Sequence, residues 1–139
     1  MSRRDPTEFI DTFGTVRRRI SALAAQAYAT ADLGPMQAKL LRHLGKHAPI
    51  SQAELARITD SDPALAGRVL GALIERGLIQ RERSKADRRE YVLELTAAGR
   101  RMRDRIEKLR SELAAQIVGA LDPRDLDDFE RIACKILAL

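Results

Sequence analysis

SQAELARITDSDPALAGRVLGALIERGLIQRERSKADRREYVLELTAAG, residues 51 to 99, decides the fold of this 139-residue chain. It opens on Ser51-Gln52-Ala53-Glu54, which has the form of a capping box. The serine oxygen accepts the N–H of residue 54, and Glu54 reaches back to the N–H of Ser51. The short helix begun there is expected to bury Leu55, Ala56 and Ile58, and the turn TDSD ends it. Asp62-Pro63 then supplies a cap and a first-position proline for a second helix, which runs to about Arg76 and stops at Gly77. The result is a helix, a tight turn and a helix.

The second of these helices is two-faced. Ala66, Val69, Leu70 and Leu73 share the side expected to be core, and Ala64, Gly67, Arg68, Gly71 and Glu75 lie opposite, with Leu65 near the edge. Leu78 to Arg83 and Arg89 to Leu95 read as two antiparallel strands. In the latter, Tyr91, Leu93 and Leu95 alternate with Glu90 and Glu94, the period of a half-buried strand. The segment RERSKADRR, residues 81 to 89, holds five basic and two acidic residues, so more than half of the net charge of +5 sits there. A charge run alone reads as a solvated hairpin. Following a helix pair directly, it reads as a basic hairpin beside a groove-reading helix, one way of fitting a protein into both grooves of DNA. The first two turns of the helix would then meet the bases. Only Arg68 there can pair bidentately with guanine, while Ala64 or Leu65 can touch a thymine methyl.

Outside this stretch the chain is helical. Asp5-Pro6 is expected to cap a first helix, with Asp5 as N-cap and Pro6 at the first helical position. Phe9, Phe13, Val16, Ile20, Leu23 and Ala27 form an apolar stripe along it, with Arg17, Arg18 and Arg19 as a solvated face. Asp32-Leu33-Gly34-Pro35 breaks that helix. The next turns Met36, Leu40, Leu41 and Leu44 inward and Lys39, Arg42 and Lys46 outward, and Pro49-Ile50 is an extended link. Thr96 caps a long fifth helix with a stripe of Met102, Ile106, Leu109, Leu113 and Ile117. From Ala97 to Val118 it would measure on the order of 33 Å, and such helices rarely hide their stripe within so small a monomer. After Gly119, Asp122-Pro123 opens a sixth helix whose buried side is expected to hold Leu126, Phe129, Ala133, Ile136 and Leu137.

The totals exclude several classes of function. Cys134, the single cysteine, cannot form an internal disulfide, and its neighbours Ile132, Ala133 and Ile136 predict a buried, inert thiol. His43 and His47 are four apart with no third ligand nearby, so no metal site is expected. No nucleophile–base pair, phosphate-binding glycine loop or cofactor motif marks an enzyme. The N-terminal MSRRDPTEF lacks the apolar core of a secretory signal, and no apolar run is long enough to span a bilayer. A soluble, cytoplasmic protein without cofactor or membrane partner is expected.

Together these features resemble the MarR family of winged-helix transcriptional regulators, over essentially the whole chain. The resemblance is densest in SQAELA, ERGLI and DRREYVLELTAAG, and most specific in Asp87-x-Arg89, the alternating strand, and Leu95-Thr96-x-x-Gly99. It implies a mainly α fold with a small β-wing in one domain, residues 1–139. A winged helix-turn-helix at 36–95 would be flanked by dimerisation helices at 6–30 and 97–139. The family pattern is a homodimer presenting two recognition helices to half-sites of a pseudo-palindrome about one helical turn apart. The implied function is a sequence-specific repressor released from double-stranded DNA by a small aromatic or phenolic ligand. The alternatives are a winged-helix protein-interaction module and a cysteine-based redox regulator.

On this resemblance the DNA-binding residues are Ser51, Gln52, Pro63, Ala64, Leu65, Arg68, Arg83, Lys85, Asp87, Arg88 and Arg89. Arg89 matches the wing arginine that enters the minor groove, and Asp87 the acid that orients it. Tyr28 and His43 are candidates for a ligand pocket. The chain departs from the family where many members carry Ser or Thr, having Pro63-Ala64-Leu65-Ala66-Gly67 instead. Few direct hydrogen bonds are therefore expected from that turn, and Arg68 and the wing should carry more of the specificity.

Overall fold

Most helices of the chain start where their capping chemistry places them. The structure, a computed structural model, describes residues 4–139. Residues 1–3, the start of the N-terminal stretch expected to lack a leader, lie outside the described residues. The elements are α1 (Thr7–Ala29), α2 (Pro35–His47), β1 (Ile50–Ser51), α3 (Gln52–Ile58), α4 (Pro63–Glu75), β2 (Ile79–Arg83), β3 (Tyr91–Leu95), α5 (Ala97–Val118) and α6 (Pro123–Leu137). Pro35, Pro63 and Pro123 each sit in the first turn of their helices, where the missing N–H has no intrahelical partner to lose. Asp62, Thr96 and Asp122 cap α4, α5 and α6 with side-chain oxygens, as their spacing predicts.

Two caps differ from expectation. At α1 the helix begins one residue later, with Pro6 in the cap position and the Asp5 carboxylate accepting the Thr7 N–H at 2.9 Å. At α3 Ser51 does accept the Glu54 N–H at 3.1 Å, but Glu54 does not reach back. Its carboxylate is held by both Nε and Nη2 of Arg57, one turn along the exposed face. A two-pronged ion pair with a guanidinium outcompetes one bond to a backbone N–H, and it holds the Glu54 carboxyl below its usual range.

The sheet has three strands rather than two, in the order β1-β3-β2, all antiparallel. The expected link at Ile50 is a two-residue strand, with Ile50 opposite Leu93 and Ser51 opposite Val92. On the other side of β3, Ile79, Arg81 and Arg83 face Leu95, Leu93 and Tyr91. The second strand of the hairpin begins at Tyr91, not Arg89, because the Glu90 N–H turns back to the Asp87 carbonyl at 3.0 Å.

One apolar core joins these pieces. Leu40, Leu41 and Leu44 of α2, Leu55 of α3, Leu70 and Leu73 of α4, Leu93 of β3 and Ile106 of α5 have no exposed surface. Ile106 is the point at which α5 enters this core. The outer helices behave differently. Neither α1 nor α6 buries a single residue, and α6 makes almost no contact with the rest of its own chain. Leu126, Phe129, Ile136 and Leu137 are exposed and Ala133 is only half-buried. Cys134, expected to be buried, is exposed as well. The period of the α6 stripe is right, but among the described residues no other element covers it.

Candidate nucleic-acid interface

The rotation of α4 about its axis is set by Ala66, Leu70 and Leu73, which face the core with no exposed surface. That rotation leaves Pro63, Ala64, Leu65 and Arg68 outward on the first two turns. The Asp62 carboxylate accepts the Leu65 N–H at 2.9 Å and fixes the start of the helix. Leu65 is 42% exposed, unusual for a leucine with the core so near. Gly71, a turn further on, faces open space. The leading end of α4 is thus small, apolar and accessible, with Arg68 as its charged side chain.

Gln52 connects this face to the wing. Its amide nitrogen lies 3.3 Å from where a Cβ at Gly67 would sit, and its carbonyl oxygen accepts from Arg81 Nη1 at 3.4 Å. The Ser51 oxygen is occupied by its capping bond, so what it offers outward is limited.

The wing is built around an aromatic platform. The guanidinium carbons of Arg81 and Arg83 lie 4.5 and 4.8 Å from the centroid of the Tyr91 ring. Both guanidinium groups therefore rest on the Tyr91 ring at the sheet face. Arg83 Nη1 also donates to the Arg88 carbonyl at 2.6 Å, closing the hairpin. Ser84 organises the tip: its hydroxyl accepts the N–H groups of Ala86 and Asp87, each at 3.2 Å. One Asp87 carboxylate oxygen accepts both the Arg89 N–H at 3.0 Å and Arg89 Nε at 3.2 Å. The Arg89 side chain is 91% exposed, so this pair orients far more than it stabilises. Arg83, Ser84, Lys85 and Arg88 line a basic hollow of about 300 Å³ beside it.

Arg81, Ser84 and Tyr91 were not among the expected site residues. Their signal is the two-residue period itself, which puts positions 81, 83 and 91 on one face once the register is known. Thr96 and Gly99, in the most specific motif, have a different task. Thr96 Oγ1 accepts the Gly99 N–H at 3.0 Å and donates to the Gly77 carbonyl at 2.6 Å, and the Thr96 N–H donates to the Leu78 carbonyl at 3.1 Å. They bind the end of α4 to the start of α5.

The two ligand-pocket candidates lie apart in their contacts. Tyr28 packs against the core. His43 Nε2 accepts from Arg42 Nη2 at 3.2 Å, and the ring stacks on His47 with ring centroids 6.3 Å apart. Partial burial, then the charges of Arg42, His47, Lys39 and Lys46, lower its pKa from the ordinary histidine value. A surface cavity of about 440 Å³ between α1, α2 and α4 is lined by Ala29, Asp32, Leu33, Gly34, Gln37 and Arg76, and by neither candidate. Among the described residues no cluster of three metal-ligating side chains forms.

Comparison with known proteins bears on the same region. A model of the MarR family matches residues 31–90, from the end of α1 through the wing tip. The HTH-type transcriptional repressor NicR of Pseudomonas putida is 30% identical over 105 residues, 76% of this chain. The match spans 66% of that repressor's length, just short of two thirds. Among solved structures, a MarR transcriptional regulator from Methanosarcina mazei has a TM-score of 0.81 at 22% identity, covering 94% of this chain and 95% of its own. A mutant MarR from E. coli complexed with operator DNA has a TM-score of 0.83 at 21% identity, covering 96% and 99%. The mainly helical fold with its three-stranded wing is therefore shared along nearly the whole chain. The family model falls on the helix pair and wing described above, and there the chain is similar to the MarR family.

Proposed function

We propose that this chain is a sequence-specific DNA-binding transcriptional regulator of the cytoplasm. It acts as a homodimeric repressor on a pseudo-palindromic operator and is released by a small aromatic ligand. The observation that carries the reading is the juxtaposition of two exposed surfaces. The leading end of α4, with Ala64, Leu65 and Arg68, is tied through Gln52 and Arg81 to the root of a wing carrying five basic residues. A protein-interaction module would have no need for Arg89 held outward by Asp87.

The dimer reading rests on apolar exposure. Phe9, Phe13 and Val16 on α1 and Phe129, Ile136 and Leu137 on α6 are each more than two-fifths exposed. A fifteen-residue helix such as α6 is marginal in water without tertiary cover, and contiguous apolar faces of this kind mark association surfaces. The ligand reading rests on the family's habit and on the junction between α1 and the winged unit. A ligand acts there only by binding one arrangement of frame and wings better than another.

The test is fluorescence anisotropy with duplexes from the DNA flanking the gene, over a range of salt. Several phosphate contacts require affinity to fall steeply with salt. Arg89→Ala should weaken operator binding by about 1–3 kcal/mol. Binding insensitive to both salt and Arg89 would sink the proposal. Aromatic carboxylates that raise the melting temperature and dissociate the complex would support the ligand part.

A further inference from the structure

The α1–α2 turn is gripped from two sides by arginines distant in sequence. Arg76, which closes the C-terminal end of α4, donates from Nη1 to the Asp32 carbonyl at 2.7 Å, across 44 residues of chain. The same nitrogen lies 3.5 Å from Gln37 Oε1, which itself accepts the Gly34 N–H at 3.0 Å. Arg105 of α5 donates from Nη2 to the Thr30 carbonyl at 2.8 Å. Asp32 adopts a left-handed backbone with φ 56°, where the chain turns between α1 and α2. On the far side of Arg76, Gly77 has φ +73° and passes its carbonyl to Thr96.

The end of α4 is thus fastened to both helices of the frame: to the α1–α2 turn through Arg76, and to the start of α5 through Thr96 and Gly99. Its leading end, with Ala64, Leu65 and Arg68 outward, is held by the Asp62 cap and leans on Gln52 of α3, not on the frame helices. A helix bound to the frame at one end alone carries a shift of that anchor to its tip, together with the winged unit packed on it.

We infer that Arg76 is a positioning residue for DNA recognition: its bond to the Asp32 carbonyl sets how far apart the two α4 tips of a dimer are held, and so which half-site spacing is accepted. The inference rests on the dimeric DNA-binding reading above. Arg76 touches no DNA in this scheme. It acts through α4, as a strut between the recognition helix and the frame.

The experiment uses the full chain and a set of duplexes carrying the operator with one base pair inserted or removed between its half-sites. Each step moves one half-site by about 3.4 Å and roughly 35° around the axis. Wild type should prefer its natural spacing sharply. Arg76→Ala should bind that spacing about fivefold more weakly and lose most of its preference, while the slope of log affinity against log salt stays the same. An unchanged spacing profile would overturn the inference. So would a uniform loss at every spacing with a slope shallower by about one, which is the signature of a lost phosphate contact. Should Arg76→Ala melt below the working temperature, Arg76→Gln carries the same expectations with a smaller packing loss. A second readout is the distance between spin labels at Gly71→Cys, placed in open space, in a Cys134→Ser background. The distribution should broaden when Arg76 is replaced, and an unchanged distribution would count against the strut. Wild type that binds no duplex would instead overturn the DNA-binding reading, a different failure from wild type and variant binding alike.

Discussion

At residue 99 the absence of a side chain is what lets α5 lie against the end of α4. A Cβ there would overlap the carbonyl oxygen of Leu78 and lie 2.9 Å from its carbonyl carbon. Leu78 cannot retreat, because its carbonyl also accepts the Thr96 N–H and its side chain is buried in the core. Gly99→Ala should therefore cost about 3 kcal/mol of stability, seen as a melting temperature lowered by roughly 10 °C. A variant melting within a degree or two of wild type would show that the α5 junction gives way cheaply. The motif Leu95-Thr96-x-x-Gly99 is plain in the sequence, and so is the helix cap at Thr96. What sequence does not display is the oxygen that forbids a side chain, since Leu78 lies 21 positions away from Gly99. Glu54 illustrates the same limit at shorter range. Its spacing from Ser51 fits a reciprocal cap, yet Arg57 is an equally good match for a carboxylate and wins it.

Helices with strong caps and strong stripes were legible as elements, and α2 through α5 fall close to where their caps and apolar periods put them. Two-residue β1 was not, because a strand that short has no period to read and exists only through its pairing with β3. The wing was legible as a charged hairpin, but not as a platform of two arginines on Tyr91, which needs the register of β2 against β3. For the recognition helix, side-chain chemistry and geometry agree that few hydrogen bonds are available at its leading end. Arg68 should then account for the base discrimination made by α4. Arg68→Ala is expected to relax the preference at one base pair of each half-site by about 1–3 kcal/mol, read by competition among operators with single substitutions. Leu65→Ala should weaken all of them modestly and evenly, losing apolar contact but no hydrogen bond. If Leu65→Ala erased the preference and Arg68→Ala left it intact, readout would rest on shape and methyl contact instead.

On the scale of the molecule the chain divides into a part that covers itself and a part that does not. One core buries Leu40, Leu41, Leu44, Leu55, Leu70, Leu73 and Leu93 completely, while α6 is amphipathic with its apolar side in solvent. Periodicity in the sequence reported correctly that α6 has such a side, but a period carries no information about which chain covers it. Cys134 follows the same logic, exposed on a helix whose apolar side lies in solvent. If a second copy supplies that cover, folding of α6 and association are one event, and the melting temperature of wild type should rise with protein concentration. Phe129 is 65% exposed and makes no aromatic stacking contact among the described residues, so replacing it harms little in an isolated protomer. Phe129→Asp places a charge on the surface that must be desolvated in a dimer. It should shift sedimentation equilibrium towards monomer and abolish the concentration dependence of melting. Loss of the second half-site contact should then lower apparent operator affinity by 10²-fold or more, about the gain that linking two binding modules confers, while the winged unit keeps its circular dichroism. A Phe129→Asp protein that stays dimeric and binds operator as wild type does would place the association surface elsewhere, with α1 and its Phe9–Phe13 stack the remaining apolar face to test.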